Sequence, residues 1–192
     1  MAKEIKTEAD VKRYCEDLAQ SIHIAIIQTL AYCGEVAVRT AREPHPNNWD
    51  DHTGNLRSSI GYIITYNGKE VTPKEEMYSA FSERELRPEH KEPVRFTAYK
   101  GTEKEIEVSF EARVEAGNVG VEEGKAFAQS QKSEHPQGYA LIVVAGMNYA
   151  DKVEAYGKDV LGYAELKARE WWSKNQKYIP KRAEAIMKRK GW

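Results

Sequence analysis

The sequence predicts an α+β fold, in which a long N-terminal helix packs on an antiparallel sheet of four to five strands and a C-terminal helical region follows. Three observations predict it. Residues 8–42 repeat apolar positions at the period of a helix, segments rich in Ile, Val and Tyr between 60 and 145 resemble strands, and residues 164–190 are helical again. We expect one domain over 1–192, with insertions at 73–93 and 115–138.

A stripe of apolar or small residues predicts the N-terminal helix. The stripe advances 29 residues in eight steps, a mean of 3.6, which is the period of a helix with one buried face. Thr7 and Asp10 predict a capping box at its start, and Pro44 ends it. Gly34 marks either a close helix crossing or a bend. The members of the stripe are Val11, Cys15, Leu18, Ile22, Ile26, Thr29, Cys33, Val36 and Thr40.

A β-hairpin is predicted next in the chain. Residues 60–66 are rich in Ile and Tyr, as strands are, and Asn67-Gly68 suits a type I′ turn because both central positions need positive φ. The return strand over 69–72 is short. The hairpin therefore provides the first two strands of the sheet.

Three further strands are expected. Residues 94–99 and 105–114 follow the first insertion, and the second of these alternates apolar and polar side chains, as a half-buried strand does. Residues 139–145 are apolar throughout, which predicts a central strand covered on both faces. A short helical piece then follows Gly146, and Pro180 interrupts the C-terminal helix.

Bulk composition excludes several classes of protein. The formal net charge is -1, with 31% charged and 41% hydrophobic residues, so no global charge attracts nucleic acid or an anionic membrane. No apolar stretch approaches the roughly 20 residues of a transmembrane helix, and the acidic N-terminus does not resemble a signal peptide. Cys15 and Cys33 fall on one side of a helix about 27 Å apart. We expect both to be small core residues that do not pair.

Candidate reaction centres are weakly supported by the sequence. His45, Asp50, Asp51 and His52 lie in a loop without metal-ligand spacing. Thr53-Gly54-Asn55 lacks the glycine-rich pattern and the lysine of a phosphate-binding loop. A small hydrolase using His52 with Asp51 or Ser58 stays open as an alternative. We expect no catalytic residue, no cofactor and no metal.

The loop before the first strand is better explained as a structural turn. Gly54 supplies a backbone conformation that other residues avoid, and polar neighbours fix the turn by bonding nearby backbone groups. Leu56 then enters the core, so the turn sets the register of the strand. The residues of this turn motif are Thr53, Gly54, Asn55, Leu56, Arg57 and Ser59.

Two surfaces are candidates for contact with other molecules. The C-terminal helix is basic, which suits either phosphate contact or a solvated helix end. Trp171 and Trp172 lie about 100° apart on a helix, so one can be core and the other a subunit contact. One strand carries on its polar face Glu107, Glu111 and Glu115. This face is either exposed to solvent or an acidic docking surface. The basic residues are Lys174, Lys177, Lys181, Arg182, Lys188, Arg189 and Lys190.

Two segments together resemble a family of tailed-phage proteins. HTGNLRSSI at 52–60 is similar to the D-T-G-x-L-R-x-S-I signature of the gene-product-ten-like family of HK-type phages. The segment at 146–165 is similar to that family's Y-A-x-x-V-E-x-G segment. His52 stands where the family has an acidic residue, and Ala155-Tyr156 replaces its G-T or G-S. The matching residues of the second segment are Tyr149, Ala150, Val153, Glu154 and Gly157.

The resemblance implies a non-enzymatic, prophage-encoded protein of virion assembly. Members of the family act as head–tail connector, tail-completion or minor tail proteins. It implies a homo-oligomeric ring at the head–tail junction or the tail terminus, with portal or neck and tail-tube proteins as partners, no cofactor and no membrane. The protein would be found in the virion, and in the bacterial cytoplasm during assembly. A nucleic-acid-binding protein that uses the basic C-terminal helix is the alternative.

Overall fold

The computed structural model describes residues 6–43, 49, 54–73, 94–98, 106–110 and 118–192. The predicted α+β class is confirmed. A long N-terminal helix packs on a three-stranded antiparallel sheet, and helices over 162–189 follow. The expectation of one sheet with four to five strands is wrong, because the other two described strands pair only with each other.

Helix α1 spans Glu8–Arg42, the predicted bounds. The predicted capping box is present: the Asp10 amide donates to Thr7 Oγ1 at 3.2 Å, and the Thr7 amide donates to Asp10 Oδ2 at 2.9 Å. Hydrogen bonds from the Thr7 side chain and from the Lys6 and Thr7 backbone lower the pKa of Asp10. The N-terminus of α1 is therefore capped as its sequence predicts.

Only part of the predicted stripe on α1 is buried. Val11, Cys15 and Ile22 are exposed, because the C-terminal helices pack on the neighbouring face, where Trp192 meets Tyr14. The expectation that Cys15 is a core residue is therefore wrong, whereas Cys33 is buried as predicted. Burial raises the pKa of the Cys33 thiol to about 11.

By length and composition alone, α1 is long and apolar enough to cross a membrane, contrary to the expectation that no stretch approaches that length. Within the fold, 56% of its most apolar window is buried. The cover consists of the sheet and the C-terminal helices. This is the environment of a core helix.

The main sheet has the order β2-β1-β5, with all pairs antiparallel. A five-residue helix α2, Asn55–Ser59, leads into β1, Ile60–Tyr66, and β2 is only Lys69–Glu70. Asn67 and Gly68 have φ of 51° and 72°, which confirms the predicted hairpin turn. Strand β5, Tyr139–Ala145, pairs with β1 along its whole length. It is an edge strand among the described strands, so its predicted central place is wrong.

Both faces of the main sheet are covered by helices. Helix α1 packs on the face that carries Tyr62, and helix α3, Asn118–Ser130, packs on the opposite face, where Ala128 contacts Ile142. The segment 115–138 was expected to be a loop or an insertion; α3 and a 3₁₀ turn at Gln131–Glu134 occupy most of it, so a loop is wrong there, and an insertion stays a prediction. Small buried residues let α3 approach closely; these are Gly120, Gly124 and Ala128.

The remaining elements are a hairpin and the C-terminal helices. Strands β3, Val94–Ala98, and β4, Ile106–Phe110, form a two-stranded antiparallel ribbon. Helix α4 is Ala150–Ala155, α5 is Gly162–Asn175, and α6 is Ile179–Arg189 after a 3₁₀ turn at Gln176–Tyr178. Pro180 lies in the first turn of α6, where its missing N–H costs nothing, so the predicted interruption is confirmed. Most of the predicted insertion at 73–93 lies outside the described residues.

Replacing Gly34 with alanine is expected to destabilise the fold by about 2 kcal/mol. A Cβ at this position would lie 2.7 Å from Cγ of the buried Tyr62 ring, so Gly34 marks a close contact of helix with strand rather than of helix with helix. Urea unfolding measures the loss. In a Tyr62→Ala background the same change should become neutral or stabilising, because alanine favours a helix by about 1 kcal/mol over glycine. An equal loss in both backgrounds would contradict the contact.

Candidate assembly site at the corner of the sheet

The two segments that resemble the phage family meet at one corner of the sheet. Ile60, the first residue of β1, pairs with Ala145, the last residue of β5. The Gly146 amide donates to the Ser59 carbonyl at 3.2 Å, and the Met147 amide approaches Ser59 Oγ at 3.3 Å. Ser59 is fully buried, and its hydroxyl donates to the Leu56 carbonyl at 2.8 Å. One serine therefore ties the two segments together.

The turn motif forms a short helix before the strand, not a turn that leads directly into it. Gly54 has φ of 76° and is the N-cap residue of α2, and the Ser58 amide donates to its carbonyl at 2.9 Å. Leu56 is buried in the core, as predicted. Thr53 lies outside the described residues. The glycine is required here because few other residues adopt this backbone conformation.

Arg42 connects the end of α1 to this corner. Its side chain is only 4% exposed. Nε donates to the Arg57 carbonyl at 3.0 Å, and Nη2 donates to the Ile60 carbonyl at 2.5 Å. These two carbonyls flank the junction of α2 and β1. Arg42 carries no distinguishing signal in the sequence, because an arginine in the last turn of a helix is ordinarily a solvated partner of the helix dipole.

A partly buried carboxylate, Glu35, lies about two turns before Arg42 on nearly the same face of α1. The Tyr62 hydroxyl donates to Glu35 Oε1 at 3.0 Å. Burial raises the pKa of Glu35, and the bond from Tyr62 and the charge of Arg42 oppose that rise only in part. The folded protein therefore holds a proton on Glu35 at a higher pH than the unfolded chain does.

Glu35→Gln is expected to raise the stability at neutral pH. With a raised folded-state pKa, the native state binds more protons, so stability falls as pH rises from the ordinary carboxyl range through that raised value. Glutamine keeps an acceptor for Tyr62 and carries no charge to desolvate. Thermal unfolding measured from acid to neutral pH should show a flatter profile for this variant. A steeper profile, or a loss of stability at neutral pH, would show that Arg42 outweighs burial.

The second segment forms helix α4 with a glycine-terminated end. The Gly157 amide donates to the Glu154 carbonyl at 2.9 Å, and the Lys158 amide approaches the Val153 carbonyl at 3.4 Å. Gly157 has φ of 80°, so the helix ends in a Schellman motif. Glu154 Oε1 also accepts from the Leu161 amide at 3.3 Å, just before α5. Ala150 is buried, and Tyr149 and Val153 pack against the core.

The adjacent tryptophans are both partly buried and contact different neighbours. Trp172 packs against the core. Trp171 is partly exposed and faces Tyr32 of α1, with ring centroids 6.4 Å apart. The guanidinium of Arg182 lies 5.0 Å from the centre of the Tyr32 ring. Trp171, Tyr32 and Arg182 thus form an aromatic and cationic strip across α5, α1 and α6. Its role as a subunit contact stays a prediction.

A cavity of about 510 Å³ lies between α1, α5 and strand β5. Leu141 and Val143 of β5 form one wall, and Cys33 of α1 lies in another, its thiol 3.4 Å from the Ala168 carbonyl. Helix α5 closes the third side with Ala164 and Trp172. The cavity is therefore lined mainly by apolar side chains.

Part of the basic C-terminal set is engaged within the chain. Lys190 Nζ lies 2.9 Å from Asp17 Oδ1, and Arg182 Nη1 donates to Thr29 Oγ1 at 3.3 Å. Lys188 pairs with Glu184 at 2.7 Å on the exposed surface, which lowers the pKa of that glutamate. The contacts of Lys190 and Arg182 hold the C-terminal end of the chain and α6 against α1, so these two charges have a structural use in addition to any contact with phosphates.

Most residues that the sequence offers as candidates for a metal site or a catalytic site lie outside the described part of the chain. His45, Asp50, Asp51 and His52 lie outside the described residues. Within the described part of the chain, no group of three His, Cys, Asp or Glu side chains is placed to hold a metal ion. Ser58 and Ser59 are both fully buried. The side chains of Glu107, Glu111 and Glu115 are likewise outside the description.

Comparison with protein-family models, with curated proteins and with solved structures finds no match to this chain.

Proposed function

We propose that this chain is a non-enzymatic assembly subunit of a tailed phage, acting as a ring-forming connector or tail-completion protein. One observation carries the proposal: the two segments that resemble the phage family are joined through Ser59, Gly146 and Met147. The two segments flank β1 and β5, which pair along their whole length, so the motifs form one corner of the fold, which supports a shared architectural role. Their side chains and glycines cap helices, fill the core and fix turns, which suits an architectural role.

The exposed surface supports contact with other subunits. Large apolar side chains remain exposed on several elements, among them Tyr32 on α1, Leu166 on α5 and Tyr178 before α6. Scattered apolar residues are normal on a surface, but Tyr32 belongs to the strip with Trp171 and Arg182. Tryptophan, tyrosine and arginine are the residue types most often found at the energetic centre of interfaces.

Deletion of the gene in a lysogen tests this proposal. Induced lysates should contain DNA-filled heads and separate tails, or tails of defective length, and no infectious particles. Expression of the wild-type chain from a plasmid should restore joined virions. Normal, infectious virions in the deletion strain would contradict the proposal. An in-frame deletion of a gene that is not needed for the lytic cycle provides the matched control.

The nucleic-acid alternative remains a separate prediction that rests on the basic C-terminal helix. Phosphate contacts would make the affinity for DNA fall steeply with salt. Charge reversal at Lys181 and Arg189 should then abolish binding while leaving the ion pair of Lys190 with Asp17 in place. Retention of DNA affinity in that variant would remove the alternative.

A further inference from the structure

Three aromatic rings meet at the end of the main sheet that lies farthest from Ser59. His23 of α1 lies against Tyr66, the last residue of β1, and against Tyr139, the first residue of β5. The centroids of the two tyrosine rings are 4.5 Å apart, with an angle of 31° between the ring planes. The His23 and Tyr66 centroids are 5.0 Å apart, with the rings edge to face. This end of the sheet therefore carries two phenols in contact with one imidazole.

The backbone fixes the two tyrosines as a directly opposed pair. Tyr66 is opposite Tyr139 in the register of β1 and β5. In the next pair along the ladder, the Asn67 amide donates to the Gly138 carbonyl at 2.8 Å, and the Gly138 amide donates to Asn67 Oδ1 at 2.9 Å. Because hydrogen-bonded and non-hydrogen-bonded pairs alternate in an antiparallel ladder, the two tyrosines form a non-hydrogen-bonded pair, in which side chains lie closer together. The strands themselves therefore hold the two phenol rings in contact.

The two phenols differ in their exposure and in their proton partner. Tyr66 is 37% exposed, so an oxidant in solution reaches its ring. Tyr139 packs against the core, and its hydroxyl lies 2.7 Å from His23 Nδ1, which accepts this hydrogen bond in the tautomer that carries the proton on Nε2. Burial, and then the proximity of Tyr66, raise the pKa of Tyr139. This phenol is therefore protonated at neutral pH, and His23 is placed to take its proton when an electron leaves the ring.

We propose that Tyr66 and Tyr139 are an oxidative cross-linking site, at which a haem peroxidase with hydrogen peroxide joins the two rings into dityrosine. Each phenol loses one electron and its hydroxyl proton; His23 takes the proton of Tyr139, and water takes that of Tyr66. A carbon–carbon bond then forms between ring carbons ortho to the two hydroxyls, and the two displaced ring protons return to the phenol oxygens. Hydrogen peroxide accepts the two electrons and the two protons and becomes two water molecules. This site does not depend on the function proposed above.

The cross-link would close a long loop of the chain, from position 66 to position 139. A covalent bond between residues that are already neighbours in the folded state restricts mainly the unfolded chain, as a disulfide does. The oxidised protein should therefore unfold at a higher urea concentration than the untreated protein.

Treatment of the purified chain with a haem peroxidase and hydrogen peroxide tests the site. The protein is kept dilute and carries Cys15→Ser, because the exposed thiol of Cys15 would consume oxidant and join chains through disulfides. The expected product has the blue fluorescence of dityrosine, the mass of one chain less two hydrogen atoms, and peptides joined between positions 66 and 139. Tyr66→Phe and Tyr139→Phe should each abolish this intrachain product, because phenylalanine keeps the ring and lacks the hydroxyl.

Tyr178→Phe is the matched control. Tyr178 is 46% exposed, more than Tyr66, so a reaction governed by exposure alone would use it. The intrachain product should persist in this variant. Products that consist only of joined chains, an intrachain product that survives Tyr66→Phe, or oxidised tyrosines without an intrachain bond would each overturn the inference. Circular dichroism checks that each variant keeps its helices.

His23→Phe tests the part of the imidazole in the reaction. Phenylalanine keeps a ring beside both tyrosines but accepts no proton, so the rate of intrachain coupling should fall by roughly tenfold. Imidazole added to the buffer should restore part of the rate, which it would not do if His23 served only to pack the rings. An unchanged rate in His23→Phe, or a loss that imidazole leaves unchanged, would contradict the role of His23 as the proton acceptor.

Discussion

Replacing Arg42 with methionine is expected to lower the free energy of unfolding by about 3 kcal/mol. The guanidinium is buried and donates to the Arg57 and Ile60 carbonyls at the corner of the sheet. Methionine fills most of the same space but donates no hydrogen bond, so these carbonyls lose a charged partner without gaining water. A bond to a charged group is worth more than one between neutral groups.

Urea unfolding of purified protein measures the effect. Arg39→Met is the matched control, because Arg39 lies one turn earlier on α1 and is exposed, and surface substitutions usually stay within about 0.5 kcal/mol. Similar losses for the two variants would contradict the role given to Arg42. A large loss for Arg42→Met alone would show that the end of α1 is fastened to the junction of α2 and β1.

Replacing Gly146 with alanine is expected to cost about 3 kcal/mol, at the upper end of the usual range for overpacking. An added Cβ would lie 2.7 Å from the Glu123 carbonyl oxygen and from the Gly124 amide nitrogen of α3. These neighbours are backbone atoms of a helix, so no side-chain rotation relieves the contact. Helix α3 would have to move away from the sheet.

Hydrogen exchange shows whether the damage is local. In Gly146→Ala, amides of α3 should lose protection before those of α1 do, since α3 is the element displaced. Gly162→Ala is the matched control, because its Cβ would meet only the flexible Asp159 side chain at 3.4 Å. A stable Gly146→Ala with unchanged protection in α3 would contradict the close approach.

Elements governed by local signals could be predicted from the sequence. The bounds of α1 follow from the capping box and from the prolines beyond it, and the turn at Asn67-Gly68 follows from its need for positive φ. Strand β1 lies where its Ile and Tyr residues indicate. These signals act within a few residues, so they do not depend on what packs against them.

Features that depend on distant partners could not be predicted in the same way. Helix α3 was not predicted, because its glycines and polar residues are typical of a loop. Its signal is a row of small residues four apart at Gly120, Gly124 and Ala128, which permits close packing on a sheet. The edge position of β5 and the exposure of Cys15 depend on where other elements lie, which periodicity alone does not encode.

The residues of the two segments could be identified from the sequence, but the contact through which Arg42 joins α1 to them could not. Gly54 and Leu56 have the positive φ and the core position that the sequence predicts, whereas Gly157 was identified only as a matching residue of the second segment. Arg42, which joins α1 to the corner, carries no signal that distinguishes it from the exposed Arg39 one turn earlier. Burial of a charged residue is decided by tertiary packing, and a single sequence does not display it.

Negative-stain electron microscopy of the purified chain at increasing concentration tests the central claim most directly. If the chain is a ring-forming subunit, closed rings of uniform diameter should appear as concentration rises. Monomers at every concentration, in the presence of phage tails as well as alone, would contradict the account.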